Sequence, residues 1–158
     1  MKYAVIERER KFLVNSLPKN FETENSFSRI EDRYIIGSRL RLRRIERADG
    51  TPIQFKLGQK YPVEDGKYEK VLMTNIYLTE NEFALFLKLP ATTLSKRRYK
   101  YAHLDRQFSV DVFENEHAGL ILCEIELAVD DVSALELPKF VEREVTDDKN
   151  YLGANLAT

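Results

Sequence analysis

Acidic and basic side chains recur at every second position near the start of the chain. If the stretch IERERKF at 6–12 is a strand, Glu7, Glu9 and Lys11 lie on one face, because successive strand residues point to opposite faces. Carboxylate oxygens are the ligands that hard cations such as Mg²⁺ and Mn²⁺ prefer, and an ammonium group can hold an anion beside them. The segment therefore raises the prospect of metal-dependent chemistry on an anionic substrate.

The same period of two returns along the rest of the chain. In SRLRLRR at 38–44 three arginines share one face, while Leu40 and Leu42 lie on the other. The other segments with this pattern add Lys56, the pair Lys96 and Arg98, Asp111, the pair Glu124 and Glu126, and the pair Lys67 and Glu69. At least six predicted strands thus carry one charged face and one apolar face.

Two interpretations fit these faces. In an antiparallel sheet with one solvated face, opposite charges pair across neighbouring strands. Alternatively, the strands close into a barrel with a polar lumen and turn their apolar faces outward onto helices and loops. Segregation of the charges favours the barrel, since surfaces usually intersperse the two signs. The acids are Glu7, Glu9, Glu124 and Glu126, and the bases are Arg39, Arg41, Arg43, Lys56, Lys96 and Arg98.

Charges inside a barrel are costly unless each has a partner. A polyphosphate bound with divalent cations would supply both kinds of partner, because guanidinium and ammonium groups match phosphate oxygens. The lumen interpretation therefore leads to a phosphate-rich ligand.

Strands dominate the secondary structure that the sequence predicts. They are joined by turn signals such as ADGT at 48–51 and VEDGK at 63–67, as in an antiparallel barrel or sandwich. A helix is predicted over 79–90, where Thr79 and Glu82 have capping-box spacing, and short helical turns are expected within 16–21 and 147–156. The predicted strands are 3–14, 27–35, 38–47, 52–58, 67–77, 93–101, 107–114 and 120–129.

Composition narrows the class of protein. The 158 residues suit one domain, 1–158, and 25 basic against 26 acidic residues argue against a generic nucleic-acid binder. The one cysteine, Cys123, allows no internal disulfide and lies in an apolar run typical of a buried thiol. We expect a cytoplasmic protein, since the sequence has neither a signal-peptide pattern nor a long apolar segment.

Several segments, in order, resemble the CYTH family, also called the triphosphate tunnel metalloenzymes. IERERKF carries the E-x-E-x-K signature, and EDRYIIGSRLRLRRIE is similar to the segment that ends in L-R-x-R. IQFKL, LSKRRYKY and FSVDVFENEHAGLILCEIEL resemble the later lysine, K-x-R and acidic segments, and REVTDDKNYLGANLA resembles the ending of short bacterial members. Arg8, between the two signature glutamates, departs from the usual apolar residue and is expected to point outward.

The resemblance implies a mainly β (α+β) fold: an eight-stranded antiparallel tunnel-like barrel with a charged lumen and a few short flanking helices. It also implies roles for the matched residues. Mg²⁺ or Mn²⁺ would be held by Glu7, Glu9, Glu124 and Glu126. Substrate would be bound by Lys11, Arg39, Arg41, Arg43, Lys56, Lys96 and Arg98. The catalytic set would be Glu9, Lys11, Glu124 and Glu126. Further candidates are Glu69, Asp111 and Glu144.

The implied activity is divalent-metal-dependent hydrolysis of a triphosphate, foremost inorganic tripolyphosphate, with weaker action on nucleoside triphosphates. Three alternatives use the same charges. A class IV-type adenylate cyclase would direct the ribose hydroxyl at the α-phosphate, an RNA 5′-triphosphatase would need a wide tunnel mouth, and a non-catalytic polyphosphate- or nucleotide-binding module could dispense with the acids. The expected partner is a triphosphate-containing small molecule. A homodimer is also expected, whereas a membrane and sequence-specific nucleic acid are not.

Overall fold

The computed structural model describes residues 3–158, in which strands alternate with a few short helices. The strands are β1 (Val5–Val14), β2 (Phe27–Ile35), β3 (Leu40–Arg47), β4 (Pro52–Glu64), β5 (Lys67–Leu78), β6 (Ala91–His103), β7 (Arg106–Phe113), β8 (Ile121–Leu127) and β9 (Val141–Glu144). The helices are α1 (Phe21–Glu24), α2 (Glu80–Phe86) and α3 (Gly153–Leu156), with 3₁₀ turns at Asn115–His117 and Lys149–Tyr151. No helix within this described part is long and apolar enough to cross a membrane.

The first eight strands close into an antiparallel barrel, as the sequence predicts. Around the barrel the order is β1, β5, β4, β3, β2, β6, β7 and β8, which returns to β1. Strand β1 closes the ring because its two edges face different partners. One edge pairs with β8 from Arg8 to Leu13, while the other pairs first with β5 and then, from Phe12 onward, with the short β9.

The apolar faces of the strands point outward, onto helices and connecting segments. The largest external cluster is centred on Phe12, Tyr99 and Phe108, each 1% exposed or less, and α1 covers it with Phe21. A second cluster packs Leu42 and Leu57 against helix α2. Burial of these faces is the main force that holds the wall together, and it leaves the charged faces for the lumen.

Helix α2 begins as its sequence predicts. The Thr79 side chain accepts a hydrogen bond from the backbone N–H of Glu82, and the Glu82 carboxylate accepts one from the backbone N–H of Thr79 at 2.7 Å. Phe83 then packs on Phe55, with 4.7 Å between ring centroids. The helix ends at Phe86, before the predicted end at residue 90.

Strands β4 and β9 and helix α1 also differ from the sequence predictions. Strand β4 runs six residues past its predicted end at 58, to Glu64. Pro62 is tolerated there because β3 pairs with β4 only as far as Gln59, so Pro62 faces a partner on one edge alone. Strand β9 was not predicted, since four residues give too short a pattern. The early helix lies at Phe21–Glu24 rather than within 16–21.

Candidate active site

The lumen of the barrel holds a cavity of about 510 Å³ lined by charged side chains. Basic side chains outnumber acidic ones there by eight to five, so the cavity favours an anion. The basic residues are Lys11, Arg39, Arg41, Arg43, Lys56, Lys60, Lys96 and Arg98, and the acidic residues are Glu7, Glu9, Asp32, Glu124 and Glu126.

The four predicted metal-binding glutamates form one side of the lumen, which we call the acid wall (the lumenal residues of β1 and β8). The antiparallel register places Glu9 opposite Glu126 and Lys11 opposite Glu124. Side chains directly opposite each other on one face of a sheet are within contact distance. Strand pairing therefore brings together carboxylates that are more than a hundred residues apart in the sequence.

Cations hold Glu124 firmly in its charged form. Lys11 Nζ lies 3.0 Å from one carboxylate oxygen, and Arg98 Nη2 donates to the other at 2.5 Å. Burial alone would raise the pKa of Glu124, but Lys11, Lys96 and Arg98 hold that pKa well below its ordinary value. The carboxylates of Glu124 and Glu9 in turn raise the pKa of Lys11, against the opposing effect of its burial. Both groups are therefore charged at neutral pH.

Behind this contact lies Asp111, which is fully buried. Arg98 donates two hydrogen bonds to its carboxylate, each of 2.6 Å, and Lys96 forms an ion pair with it. Asp111 does not line the cavity. It fixes the direction of Arg98, which reaches over it to Glu124.

Glu9 is half-buried, with 23% of its side chain exposed, and nearby cations compensate its charge only in part. Its nearest cation, Lys11 Nζ, is 3.9 Å away. Burial and the negative charge of Glu124 raise the pKa of Glu9 above its ordinary value, although Lys60 and Lys11 act to lower it. A cation bound beside Glu9 would relieve this excess of negative charge.

The opposite side, the basic wall (the lumenal residues of β3 and β4, with Arg39 just before β3), relies on one acid from β2. Asp32 is 1% exposed and accepts two hydrogen bonds of 2.6 Å from Arg43, while Arg41 Nε lies 3.7 Å away. Burial would raise the pKa of Asp32, but Arg43 and Arg41 hold it well below its ordinary value. Asp32 therefore neutralises about one of these two guanidinium charges.

Two cations of the basic wall have no acidic partner. No acidic side chain within residues 3–158 forms an ion pair with Lys56 or Arg39. Burial and the positive charges of Arg43 and Arg41 lower the pKa of Lys56 to about 8. The guanidinium of Arg39 lies 4.1 Å from the ring centre of Tyr61, near the rim of the cavity. These side chains are free to bind an anionic ligand.

One end of the lumen is covered by the segment 146–156, which we call the end wall. The Thr146 hydroxyl accepts a hydrogen bond from the backbone N–H of Lys11, and Lys11 Nζ donates to the carbonyl of Tyr151 at 3.4 Å. A Cβ on Gly153 would stand 2.1 Å from the Tyr34 hydroxyl, so only glycine allows this close approach. The end wall therefore lies directly against the side chains of the lumen.

The structure brings most of the predicted site residues into the lumen. Its lining includes Glu7, Glu9, Lys11, Arg39, Arg41, Arg43, Lys56, Lys96, Arg98, Glu124 and Glu126. Two further candidates lie elsewhere. Glu69 accepts a hydrogen bond of 2.6 Å from Arg8, whose side chain does not line the cavity, and Glu144 binds the guanidinium of Arg10 at 2.6 and 2.9 Å.

Sequence reasoning missed two charged residues of the lumen, Asp32 and Lys60. Asp32 stands between Glu31 and Arg33, so all three positions are charged and the alternation gives no signal. Lys60 follows Lys56 at strand spacing, but the strand was predicted to end at residue 58. A strand continued to residue 60 would have placed Lys60 in the lumen.

Within residues 3–158, no group of three acidic, histidine or cysteine side chains is arranged to hold a metal ion as it stands. Two of the four glutamates already form ion pairs with lumenal cations. Lys60 pairs with Glu7, and Lys11 and Arg98 pair with Glu124. The donors are all carboxylate oxygens, which suit Mg²⁺ or Mn²⁺, and Glu9 lacks full compensation. The residues fit such an ion provided that it displaces at least one of these cations.

Comparison with known proteins supports the same class of fold. No family model matches the chain. A curated relative, an inorganic triphosphatase of Acetivibrio thermocellus, is 40% identical over 63 residues, which amount to 40% of each protein. The match thus spans well under two thirds of that relative.

Solved structures match over nearly the whole chain. The structure of the inorganic triphosphatase NE1496 is 24% identical, with a TM-score of 0.61 over 97% of this chain and 95% of that one. A second structure, described as the hypothetical protein NE1496, is 26% identical, with a TM-score of 0.60 over 96% and 97%. A putative adenylate cyclase from Bacillus halodurans is 18% identical, with a TM-score of 0.54 over 81% and 83%.

The closed antiparallel barrel with a charged lumen defines a tunnel-type protein. These relatives confirm the resemblance to the CYTH family that the sequence shows.

Proposed function

We propose that the protein hydrolyses a triphosphate in a divalent-metal-dependent reaction, with inorganic tripolyphosphate as the main substrate and nucleoside triphosphates as weaker ones. The observation that carries the proposal is the pairing of two unlike walls in one cavity. The basic wall offers cations without acidic partners, and the acid wall offers the half-buried carboxylate of Glu9, which has too little positive charge around it.

Substrate binding follows from the basic wall. Lys56, Arg39 and Arg41 would bind phosphate oxygens, since guanidinium and ammonium groups form strong charge-assisted hydrogen bonds with them. Arg98 and Lys96, held by Asp111, would approach the chain from the neighbouring side. A bare phosphate chain satisfies this lumen without a base or a ribose, which favours tripolyphosphate, and two of the similar proteins are described as inorganic triphosphatases.

In the reaction, a water oxygen attacks the terminal phosphorus and the bond from that phosphorus to its bridging oxygen breaks. The products are orthophosphate and pyrophosphate, and the proton lost by the water passes to solvent or to a carboxylate. Glu9, with Glu126, Glu7 and Glu124, would hold Mg²⁺ or Mn²⁺, which supplies Lewis acidity when bound. Lys11 keeps Glu124 ionised, and Arg98 offsets charge that develops on the phosphoryl oxygens.

The test is release of phosphate by the full-length protein from tripolyphosphate and from ATP, each with Mg²⁺, Mn²⁺ or EDTA. A preparation carrying Glu9→Gln serves as the control for contaminating phosphatases. We expect metal-dependent release that is faster from tripolyphosphate. Cyclic AMP and pyrophosphate from ATP would identify a cyclase instead. Tight tripolyphosphate binding without turnover would leave a binding module and overturn the catalytic proposal.

A cytoplasmic location and a homodimer remain predictions from the sequence. Analytical ultracentrifugation of the purified protein tests the dimer directly.

A further inference from the structure

Lys60 places an ammonium group inside the acid wall although it belongs to the basic wall. Its Nζ forms an ion pair with Glu7 Oε2, and its charge also acts on Glu9. Strand β5 lies between β4 and β1, and its lumenal residues there, Val71 and Met73, are apolar. Lys60 therefore reaches across an uncharged strip to a carboxylate on another strand.

This contact competes with any metal ion at Glu7. The Lys60 ammonium lies against Glu7 Oε2 as an ion pair, and its positive charge would repel a second cation bound at that carboxylate. A divalent cation that binds Glu7 must therefore move Lys60 away. The Lys60 side chain is 36% exposed and its four-carbon stem is flexible, so such a movement is feasible.

The structure also offers a place for the displaced ammonium. Lys56, Gly58 and Lys60 share the lumenal face of β4, and Gly58 has no side chain to separate the two lysines. Above Gly58 lies Asn75 Oδ1, only 2.7 Å from where a Cβ would stand. That oxygen is buried and accepts no hydrogen bond from the described residues. A buried acceptor without a donor carries a free-energy cost that an ammonium group would remove.

We propose that Lys60 is a built-in counter-ion of Glu7 that a divalent cation displaces, and that the freed ammonium moves over Gly58 toward Asn75 and joins the cations that bind phosphate. The inference rests on the proposed function and deepens it. Metal binding would then strengthen phosphate binding through a side chain of the protein, in addition to any direct contact between metal and phosphate. By linkage, phosphate would strengthen metal binding through the same residue.

The test measures Mn²⁺ binding without turnover, by the loss of the free Mn²⁺ signal in electron paramagnetic resonance. The wild-type chain is compared with Lys60→Met, without polyphosphate. We expect Lys60→Met to bind Mn²⁺ roughly five- to tenfold more tightly, because the competing charge is gone. Lys60→Arg, which keeps the charge, should stay within about twofold of wild type. Lys67→Met removes an exposed lysine that pairs with Asp147 at 3.2 Å and serves as the matched control.

A second titration, of tripolyphosphate with and without Mn²⁺, tests the movement. The metal should strengthen tripolyphosphate binding less in Lys60→Met than in Lys67→Met. Equal Mn²⁺ affinities in wild type and Lys60→Met, both folded by thermal unfolding, would overturn the Lys60 proposal while leaving the metal-dependent function intact. If no variant binds Mn²⁺, the metal dependence of the proposed function fails and the Lys60 proposal falls with it.

Discussion

The acid wall and the basic wall of the lumen treat their charges in opposite ways. On the acid wall, Glu124 and Glu7 already have cations, yet Glu9 keeps a raised pKa because burial and Glu124 outweigh the cations near it. On the basic wall, a single buried acid, Asp32, serves two arginines, and Lys56 has no acid at all. The acid wall is thus short of positive charge, and the basic wall is short of negative charge. A bound ligand would have to supply both.

This difference separates charges that hold the fold from charges that await a ligand. Asp32, Arg43 and Asp111 are buried and fully engaged in ion pairs, so their loss should affect stability first. Glu9 and Lys56 are the groups whose charged forms the folded state penalises. Their loss should affect binding or turnover and leave the fold in place.

Replacing Glu9 by Gln should produce the largest effect on activity. We expect turnover of tripolyphosphate to fall roughly 10²- to 10³-fold, because the variant loses a negative charge at the position where the proposed cation is needed. Thermal stability should be unchanged or higher, since a raised carboxylate pKa means that the ionised form is costly in the fold. Steady-state kinetics and calorimetry check both parts. An active Glu9→Gln protein would contradict the metal assignment.

Replacing Asp32 by Asn should instead destabilise the protein, by about 3 kcal/mol, because Arg43 is left buried without a full counter-charge. The pKa of Asp32 is lowered in the fold, so its stabilising contribution is present above its ordinary pKa and is lost as the pH falls through lower values. Urea unfolding measured from neutral pH down to pH about 3 follows the first part of this loss of stability. The Asp32→Asn variant should not show it.

The exposed Asp105 provides the matched control for that substitution. Asp105→Asn should unfold at nearly the wild-type urea concentration at every pH. A similar cost for the two variants would show that burial does not distinguish the charges of the lumen.

Lys56 should make tripolyphosphate binding sensitive to pH. Its pKa of about 8 means that the unliganded protein loses this positive charge as the pH rises from 7 to 9. We expect affinity to weaken by up to about tenfold over that interval through Lys56. Lys56→Arg stays charged and corrects for ionisation of the ligand itself, so calorimetric titrations of both proteins isolate the effect. Parallel pH profiles would contradict the role given to Lys56.

The smallest effect is expected outside the barrel, where an ion pair is exposed to solvent. Arg10 and Glu144 form a bidentate ion pair, but Glu144 is 41% exposed. Glu144→Gln should therefore lower the free energy of unfolding by less than about 1 kcal/mol. Urea unfolding beside Asp32→Asn gives the comparison, and a loss as large as that of Asp32→Asn would remove the distinction between lumen and surface.

The sequence predicted the strands well because most barrel strands have one apolar face and one charged face, and this contrast can be read from the sequence without any tertiary information. It predicted most of the lumen for the same reason, from Glu7 to Glu126. It failed where the contrast disappears, as at Asp32 between two charged neighbours. Glu69 instead pairs with Arg8 of the neighbouring strand β1, a contact between residues 61 positions apart in the sequence.

Other features depend on three-dimensional proximity alone. The pairing of Lys60 with Glu7 spans an intervening strand, and no spacing in the sequence encodes it. The length of β4 past Pro62 depends on where β3 stops pairing. The contact between Gly153 and Tyr34 depends on how the end of the chain folds back.

The end wall gives the tunnel a direction. Because several residues of 146–156 line the lumen beside Lys11, a linear phosphate chain that entered from the other end would stop at a fixed depth. Under the proposed function, the position of the cleaved bond would then be fixed relative to the end of the phosphate chain. A longer polyphosphate would be shortened from its terminus, and a cyclic phosphate, which has no terminus, would not seat.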